Sequence, residues 1–224
     1  MKRTVPGLMV FCALLLSACA TNPFPKVQRV DISGRDPQTV VERFGDEITQ
    51  DFEALQSVTI NFFGKEMTGL GYLSVDQKTR SFNLTCMTPM GVRLLTIQKD
   101  PNGLNAEFSF SDEVDQRKIL SEMARDIGRL YFDWTPTPTA VLKRSRYTLI
   151  FTEKRSEGGK TRFVFGGPEA RLIEKQIMGK GGRVTIQYHD YQKSSQALYP
   201  QGVFLKNKKY HYTLIIRTKE FHVD

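Results

Sequence analysis

Apolar residues recur at every second position through most of the chain from residue 57 onward. Val58, Ile60 and Phe62 begin this pattern, which is typical of strands that bury one face. We count ten or eleven such segments, separated by turns that contain Gly, Asn, Asp or Pro. Only two segments show the helical period of about 3.6 residues, one beginning at Asp36-Pro37 and the other ending near Tyr131. The sequence therefore predicts a mainly antiparallel sheet and two long helices.

Two helices cannot cover a flat sheet of that many strands, so the sheet must curl to bury its inner face. We expect an α+β fold, an incomplete antiparallel β-barrel of about 10–11 strands with helices closing the concave side. The Pro-rich break at residues 135–139 allows two domains instead, but each half would hold a small sheet, one helix and little core. We predict one domain over residues 36–224.

The N-terminus carries an export signal. Lys2 and Arg3 precede an apolar run of only nine residues, 8–16, whereas a membrane-spanning helix needs about 20. Leu16-Ser17-Ala18-Cys19 resembles the bacterial lipobox, which predicts a lipoprotein signal peptide over residues 1–18 and acylation of Cys19, with a palmitate-type anchor. Ordinary secretory cleavage after small residues is the alternative.

The residue after Cys19 indicates the destination. In the sorting scheme that the lipobox implies, an aspartate at this position favours retention at the inner membrane, but this chain has Ala20. We therefore expect a lipid-anchored protein on the periplasmic face of the outer membrane. Residues 19–35 are predicted to form an N-terminal tether.

Positive charge is concentrated towards the C-terminus. Residues 139–224 carry 17 Lys and Arg against 7 Asp and Glu, which favours an anionic partner. A lipid headgroup, a phosphorylated glycolipid or an acidic periplasmic carrier protein fits, whereas the compartment excludes nucleic acid. Lysines that blunt a sheet edge are the alternative for Lys206, Lys208 and Lys209.

Cysteine content excludes an intramolecular disulfide in the exported chain. Cys12 leaves with the signal peptide and Cys19 is acylated, so Cys86 has no partner. We interpret Cys86 as a small buried hydrophobe, and we expect the protein to be a monomer.

The stretch LTCMTPMGVRLLTI, residues 84–97, predicts two strands with apolar side chains on both faces. We expect one face to pack against the helices and the other to line a cavity that holds lipid. Thioether and aromatic side chains suit such a lining because they fill irregular space. Packing beneath the helices without a cavity is the alternative. The candidate lining residues are Phe62, Met67, Tyr72, Phe82, Leu84, Met87, Met90 and Phe108.

The order of helix, five-strand meander, helix, Pro-rich break and further strands resembles the LolA/LolB lipoprotein-carrier superfamily over residues 36–218. The turn at residues 87–91 resembles the Asn-Pro-Leu-Gly turn of its outer-membrane, LolB-like members, and residues 171–216 resemble their C-terminal half. The resemblance implies a curled sheet whose hollow shelters acyl chains. LolB-like members also carry an exposed leucine on a protruding loop, and at the turn expected to correspond, residues 74–79, Val75 is the apolar residue.

No catalytic constellation is evident in the sequence. Gly179-Lys180-Gly181-Gly182 lacks the spacing of a phosphate-binding loop and is interpreted as a hairpin turn. His189, His211 and His222 show no metal-ligand spacing. We therefore expect no enzymatic activity, no metal and no cofactor.

The leading hypothesis is a lipoprotein that accepts or delivers a lipidated cargo, which could be a lipoprotein, a glycolipid or a polyene lipid. The alternative is a non-catalytic envelope scaffold that binds a periplasmic protein through its basic half.

Overall fold

The computed structural model describes residues 22–62, 64–108, 116–156, 158–180, 182–194 and 197–223, without the side chains of residues 108, 116 and 117. These ranges contain the helices α1 (Pro37–Ile48) and α2 (Gln116–Tyr131). The strands are β1 (Phe52–Phe62), β2 (Lys65–Asp76), β3 (Ser81–Met87), β4 (Arg93–Asp100), β5 (Gly103–Phe108), β6 (Val141–Arg144), β7 (Thr148–Lys154), β8 (Lys160–Gly166), β9 (Arg171–Gly179), β10 (Gly182–Ser194), β11 (Ala197–Asn207) and β12 (Tyr212–Val223).

In the described ranges, twelve strands form one antiparallel sheet in the order β5-β4-β3-β2-β1-β12-β11-β10-β9-β8-β7-β6. The pairing of β1 with β12, with Phe62 opposite Tyr212, joins the N-terminal meander to the C-terminal one. β5 and β6 are the two edges, so the sheet is open. The predicted open antiparallel sheet with two helices is confirmed, but it has 12 strands rather than 10–11. The additional strand is β6, whose four residues are all exposed and therefore show no apolar alternation.

The sheet curves around the C-terminal end of α2. The side chain of Asp133 accepts a hydrogen bond from Arg80 at the β2–β3 turn (2.7 Å), and its backbone carbonyl accepts one from Lys175 in β9. Five strand spacings separate β2 from β9, which is about 24 Å in a flat sheet. One arginine and one lysine side chain cannot span that distance, so the sheet must bend to bring both to Asp133.

α2 lies in the connection between the two edges of the sheet, because residues 109–140 link β5 to β6. Within this connection α2 lies across the hollow side of the curved sheet, where Met123 and Ile127 meet the inner faces of the strands. A long amphipathic helix is suited to this connection, because it satisfies its own backbone hydrogen bonds and buries one apolar face.

α1 covers the other part of the inner face. The Asp36 side chain caps its N-terminus by accepting a hydrogen bond from the Thr39 N–H (2.8 Å), and Pro37 occupies the first turn. Phe44 then packs edge-on against Phe165 of β8 and Tyr191 of β10, with ring centroids 5.5 and 5.8 Å away. α1 thus covers a part of the C-terminal strands, β8 and β10, whereas the cavity side of α2 faces β1–β4 and β12.

The described part of the expected tether lies against the sheet. Phe24 stacks on the His189 ring, with centroids 4.8 Å apart. The guanidinium group of Arg217 also lies over the Phe24 ring, 4.5 Å from its centroid. Ile32 is fully buried, and its N–H donates to the carbonyl of Arg146 (2.9 Å). From residue 22 onward the segment is therefore packed on the folded body.

Candidate functional site

The apolar face of α2 meets the inner faces of five strands around a small cavity of about 20 Å³. The polar groups at its wall are the Gln56 amide and the Tyr131 hydroxyl, which are hydrogen-bonded to each other at 3.0 Å. The lining residues are Gln56, Val58, Ile60, Leu73, Leu84, Cys86, Leu95, Met123, Ile127, Tyr131, Leu214 and Ile216.

In this conformation the hollow of the sheet is filled by the helices. A cavity of about 20 Å³ holds about one water molecule, whereas small-molecule sites occupy about 300–1,000 Å³. A second space of about 10 Å³, lined by Trp134, Phe52 and Leu198, lies at the C-terminal end of α2. Among the described residues the empty cavity expected from the sequence is therefore absent beneath α2, and an acyl chain could occupy this position only if α2 moved.

Four of the predicted lining residues lie on or near the inner face. Leu84 lines the cavity, and buried Phe82 lies beside Phe132 at the end of α2, with ring centroids 6.3 Å apart. Phe62 and Met67 are partly buried and pack against the core.

The other predicted lining residues do not reach the cavity among the described side chains. Tyr72 is 51% exposed because neighbouring residues of a strand point to opposite faces, and the next residue, Leu73, points inward. Half-buried Met87 points outward for the same reason, since Cys86 before it points inward. Met90 lies on a loop and is 93% exposed. The backbone of Phe108 pairs with Leu95, and its side chain lies outside the described part of the structure.

For β3 and the turn that follows it, the expectation that both faces are covered was wrong, whereas in β4 the adjacent residues Leu94 and Leu95 are both buried. β3 alternates regularly, with Phe82, Leu84 and Cys86 buried on the inner face, and this one face both packs against α2 and lines the cavity. The apolar residues of the turn are exposed to solvent instead of being covered, as Met90 and Val92 (55% exposed) show.

The cavity residues that the sequence analysis missed follow the same alternation. Val58, Ile60 and Leu73 are the inward positions of β1 and β2, and the apolar period of those strands was the signal that could have found them. Met123 and Ile127, four residues apart, come from the apolar face of α2.

A buried polar cluster attaches the middle of α2 to β11 and β12. The Asp126 carboxylate is fully buried and accepts hydrogen bonds from Arg129 (2.6 Å), the Asn207 amide (2.7 Å) and the Tyr212 hydroxyl. Burial, with Asp126 beside it, holds the pKa of Tyr212 well above its usual value, so the phenol remains a donor. Because Asn207 and Tyr212 are themselves buried, losing the carboxylate would leave their polar groups unsatisfied.

The C-terminal end of α2 is held by Lys175 of β9. This side chain is fully buried, and its ammonium group donates to the backbone carbonyls of Arg129 and Asp133. A cation at this position also interacts favourably with the helix dipole. Desolvation by burial nevertheless lowers the pKa of Lys175 from 10.5 to about 7.

An exposed apolar residue lies on the loop between β3 and β4. Val75, the apolar residue expected on a turn at residues 74–79, is in β2 and is 2% exposed, so the expectation that it lies on the turn was wrong. In the β3–β4 loop the Thr88 N–H donates to the Val92 carbonyl (2.8 Å), and Gly91 adopts a positive φ of 81°. This closed turn presents Met90 to solvent.

One family model and two solved structures are similar to this chain. The model described as "Protein of unknown function (DUF3261)" matches residues 53–220. The chain belongs to the DUF3261 family. A search of curated proteins finds no match to this DUF3261 protein.

The solved structures similar to this DUF3261 protein show its fold. A LolA superfamily protein from Nitrosomonas europaea is 10% identical with a TM-score of 0.54, and the match covers 84% of this chain and 93% of that one. A DUF1329 family protein from Desulfovibrio piger is 11% identical with a TM-score of 0.54, covering 83% and 91%. The predicted LolA/LolB-like resemblance is therefore confirmed at the level of the fold.

Several sequence predictions concern residues or groups beyond this fold. Cys19 and the signal peptide lie outside the described residues. Within the described ranges, no helix has the length and apolar content needed to cross a bilayer. The same ranges contain no group of three or more His, Cys, Asp or Glu arranged to hold a metal ion.

Proposed function

We propose that this DUF3261 protein is a lipoprotein, anchored to the outer membrane through acylated Cys19, that accepts or delivers a lipidated cargo in the periplasm. The acyl chains of the cargo bind the apolar inner face of the sheet after α2 moves away from it. The observation that supports this most is the apolar cavity between α2 and five strands, whose wall consists almost entirely of carbon and sulfur atoms.

The energies of the two states are comparable, as a reversible carrier requires. Moving α2 exposes Leu120, Met123 and Ile127, at about 1.5–3 kcal/mol each or on the order of 5–9 kcal/mol together. A palmitoyl chain that takes their place removes its own methylenes from water, at about 0.8 kcal/mol each and on the order of 10 kcal/mol in total. The cargo can therefore compensate for the displaced helix without binding irreversibly.

The arrangement of polar contacts gives α2 one firm side and one weak side. The buried Asp126 cluster and Lys175 attach it to β9, β11 and β12. On the opposite side the Arg80–Asp133 ion pair is about half exposed, and such pairs contribute about 0–1 kcal/mol. We infer that α2 opens on the β1–β4 side and stays attached on the other.

The exposed Met90 loop gives the protein a contact point for the bilayer. A protruding apolar residue next to the cavity strands can enter the lipid interface while α2 opens. Met90 therefore takes the role that the resemblance implied for the exposed leucine of LolB-like members.

The single tryptophan provides a test of acyl binding. Trp134 follows α2 and lies 6.4 Å, between ring centroids, from Tyr131, which lines the cavity. The helices and strands of the described residues lie between Pro37 and Val223, so a chain of residues 20–224 retains them. We expect 9,10-dibromostearate to quench Trp134 fluorescence in that chain, and unbrominated stearate to leave the intensity unchanged but to compete. Absence of quenching, together with no bound lipid in native mass spectrometry, would refute the proposal.

A pair of variants tests the loop. Met90→Glu changes a side chain that is 93% exposed, and Val141→Glu makes the same change at a 72% exposed position on the β6 edge. In flotation with vesicles of phosphatidylethanolamine and phosphatidylglycerol, Met90→Glu should reduce binding of the unanchored chain several-fold and Val141→Glu should not. Equal effects of the two variants would remove the loop from the proposal.

A further inference from the structure

Three hairpin ends and one flank of α2 surround an open depression of about 210 Å³ at one end of the sheet. The hairpins are β7–β8, β9–β10 and β11–β12, which contribute Arg155, Gly179 and Lys209 among others. Glu122, Arg125 and Arg129 of α2 close the fourth side. The site is thus built from segments that are distant in sequence, and no sequence motif marks it.

The described lining of this depression is strongly basic, with six cations and one acid, Glu122. Two of the cations have acidic partners: Arg125 pairs with Glu122 at 2.5 Å and Arg129 with Asp126 at 2.6 Å. The cations are Arg125, Arg129, Arg155, Lys180, Arg183 and Lys209.

The remaining cations have no acidic partner among the described residues. Arg155, Lys180 and Arg183 form no ion pair there, and Lys209 lies over the ring of Tyr210 at 4.9 Å. Like charges around a common space repel one another, which favours an anion between them. Charge neutralisation within the described protein is therefore incomplete at this site.

Glycines allow the hairpin ends to approach and leave the centre of the depression open. Gly159 has a φ of +96°, and a Cβ at this position would lie 2.1 Å from the Met178 carbonyl oxygen. Gly182 has a φ of +128°, and its Cβ would lie 3.2 Å from that of Lys209. Side chains at these positions would separate the hairpins, so their glycines keep the basic residues around one space.

The depression and the apolar cavity lie on two flanks of the same helix. Arg125 and Arg129 face the depression, whereas Met123 and Ile127 face the cavity. A helix with its side chains is about 10–12 Å in diameter, which is within the length of one amphiphile. An anionic headgroup could therefore occupy one flank while its acyl chain lies beneath the other.

We propose that this depression binds a phosphate ester, the headgroup of the amphiphile whose acyl chain binds beneath α2. The inference rests on the proposed function for the acyl part alone. Phosphate is favoured over a carboxylate because a phosphate monoester carries up to two negative charges and three acceptor oxygens, so it can pair with cations on more than one side of the depression. The cargo is then a phosphorylated lipid rather than an uncharged one.

The test compares ligands that differ in the headgroup or in the chain. Residues 20–224 are titrated by calorimetry with dodecyl phosphate, dodecyl maltoside and inorganic phosphate at low ionic strength. Dodecyl phosphate should bind about tenfold or more tightly than dodecyl maltoside, since one hydrogen bond to a charged group contributes about a factor of ten. High salt should reduce that advantage.

Arg155→Gln/Arg183→Gln removes two of the unpaired charges, and Arg29→Gln/Lys78→Gln removes the same net charge at exposed positions outside the depression. The first variant should lose the preference for dodecyl phosphate with unchanged affinity for the maltoside, and the second should retain it. If the first variant does not fold, Lys180→Gln/Arg183→Gln changes two exposed side chains instead.

The outcomes separate this inference from the proposed function. Equal affinity for both dodecyl ligands in the wild type, or an equal preference in both variants, would overturn the phosphate site while leaving acyl binding intact. Binding of inorganic phosphate as tightly as dodecyl phosphate, without any binding of the maltoside, would overturn the headgroup assignment and the acyl function and identify a site for free phosphate.

Discussion

The buried ammonium group of Lys175 makes the stability of the protein depend on pH in a direction that ordinary lysines do not produce. Burial is the main cause that lowers its pKa from 10.5 to about 7, and Asp133 opposes this, followed by smaller effects of Arg129, Glu153 and Arg80. In the unfolded chain the same group remains protonated up to about pH 10.4. Unfolding above pH 7 therefore takes up a proton.

The direction and the size of the pH effect on stability follow from the difference between the pKa of Lys175 in the folded and in the unfolded chain. Where the unfolded state binds more protons, the free energy of unfolding rises with pH, here by about 1.4 kcal/mol per pH unit above pH 7. Because Lys175 is half protonated near pH 7, the expected gain between pH 7 and pH 8.5 is about 1.5 kcal/mol. As the pH falls through 7, this contribution is lost and the buried charge must be accommodated.

Few other shifted groups titrate in that window. The pKa of His189 is lowered from 6.5, mainly by burial, so its change occurs below pH 7. Burial raises the pKa of Cys86 from 9.0 to about 12, so its effect begins near pH 9, where the unfolded thiol ionises and stability starts to fall. The interval from pH 7 to pH 8.5 therefore isolates Lys175.

Urea denaturation of residues 20–224 at several pH values in this interval measures the effect, with Lys175→Met as the control. The variant leaves two α2 carbonyls without a donor, so its absolute stability will differ, and the slope with pH is the quantity to compare. Between pH 7 and pH 8.5 the free energy of unfolding of the wild type should rise by about 1.5 kcal/mol, whereas that of Lys175→Met should stay nearly constant. A flat wild-type profile, or an equal rise in both proteins, would show that Lys175 is not a desolvated ammonium.

Three further measurements test the packing of α2 and of the N-terminal segment. Asp126→Ala should lower the free energy of unfolding in urea by about 3–5 kcal/mol because it leaves buried partners unpaired. The control Asp46→Ala, at an exposed position, should change it by less than about 0.5 kcal/mol. Similar losses in the two variants would argue against the buried cluster. Gly202→Ala places a Cβ 2.4 Å from the ring of Phe24, so trypsin should cleave residues 22–35 faster while global stability is retained, and unchanged cleavage would contradict that contact. Cys86, the single cysteine of residues 20–224, should react with thiol reagents at pH 8 only after urea is added, because burial raises its pKa to about 12; rapid native labelling would indicate an open cavity.

Regular alternation was the part of the sequence that predicted the structure best. In β1 the inward positions include Val58 and Ile60, and the outward ones are polar or half-buried, so period two identified the buried face of this strand from residue 57 onward, although the strand itself begins at Phe52. The same rule failed for β6, where Val141 and Leu142 are adjacent, exposed and held in place by pairing to β7. An edge strand with no buried face leaves no periodic signal.

The loop containing Met90 shows a different limit. Apolar residues on either side of a turn predict buried strands, but Met90 and Val92 lie beyond the end of β3 and before β4 begins. Composition cannot distinguish a covered face from an exposed apolar loop, because the difference depends on where the strands end. Boundaries of strands are the least certain part of any reading from periodicity.

The polar attachments of α2 were not predictable for a further reason. Asp126 and Arg129 belong to the face of α2 that a helical pattern assigns to solvent, yet curvature of the sheet brings Asn207 and Tyr212 over them. A sequence pattern records which residues are polar, but the global shape decides which polar residues become covered.

This covering has a consequence for how α2 can move. Breaking the buried attachment at Asp126 costs about 3–5 kcal/mol, whereas breaking the half-exposed Arg80–Asp133 pair costs about 0–1 kcal/mol. The remaining contacts on the Arg80 side are apolar apart from hydrogen bonds of Gln56 and Gln77 to Tyr131, and an acyl chain can replace the apolar ones. Motion about the Asp126 attachment therefore opens the cavity at the lowest cost and keeps the basic flank of α2 against the hairpins, so that a headgroup site there would persist in the open state.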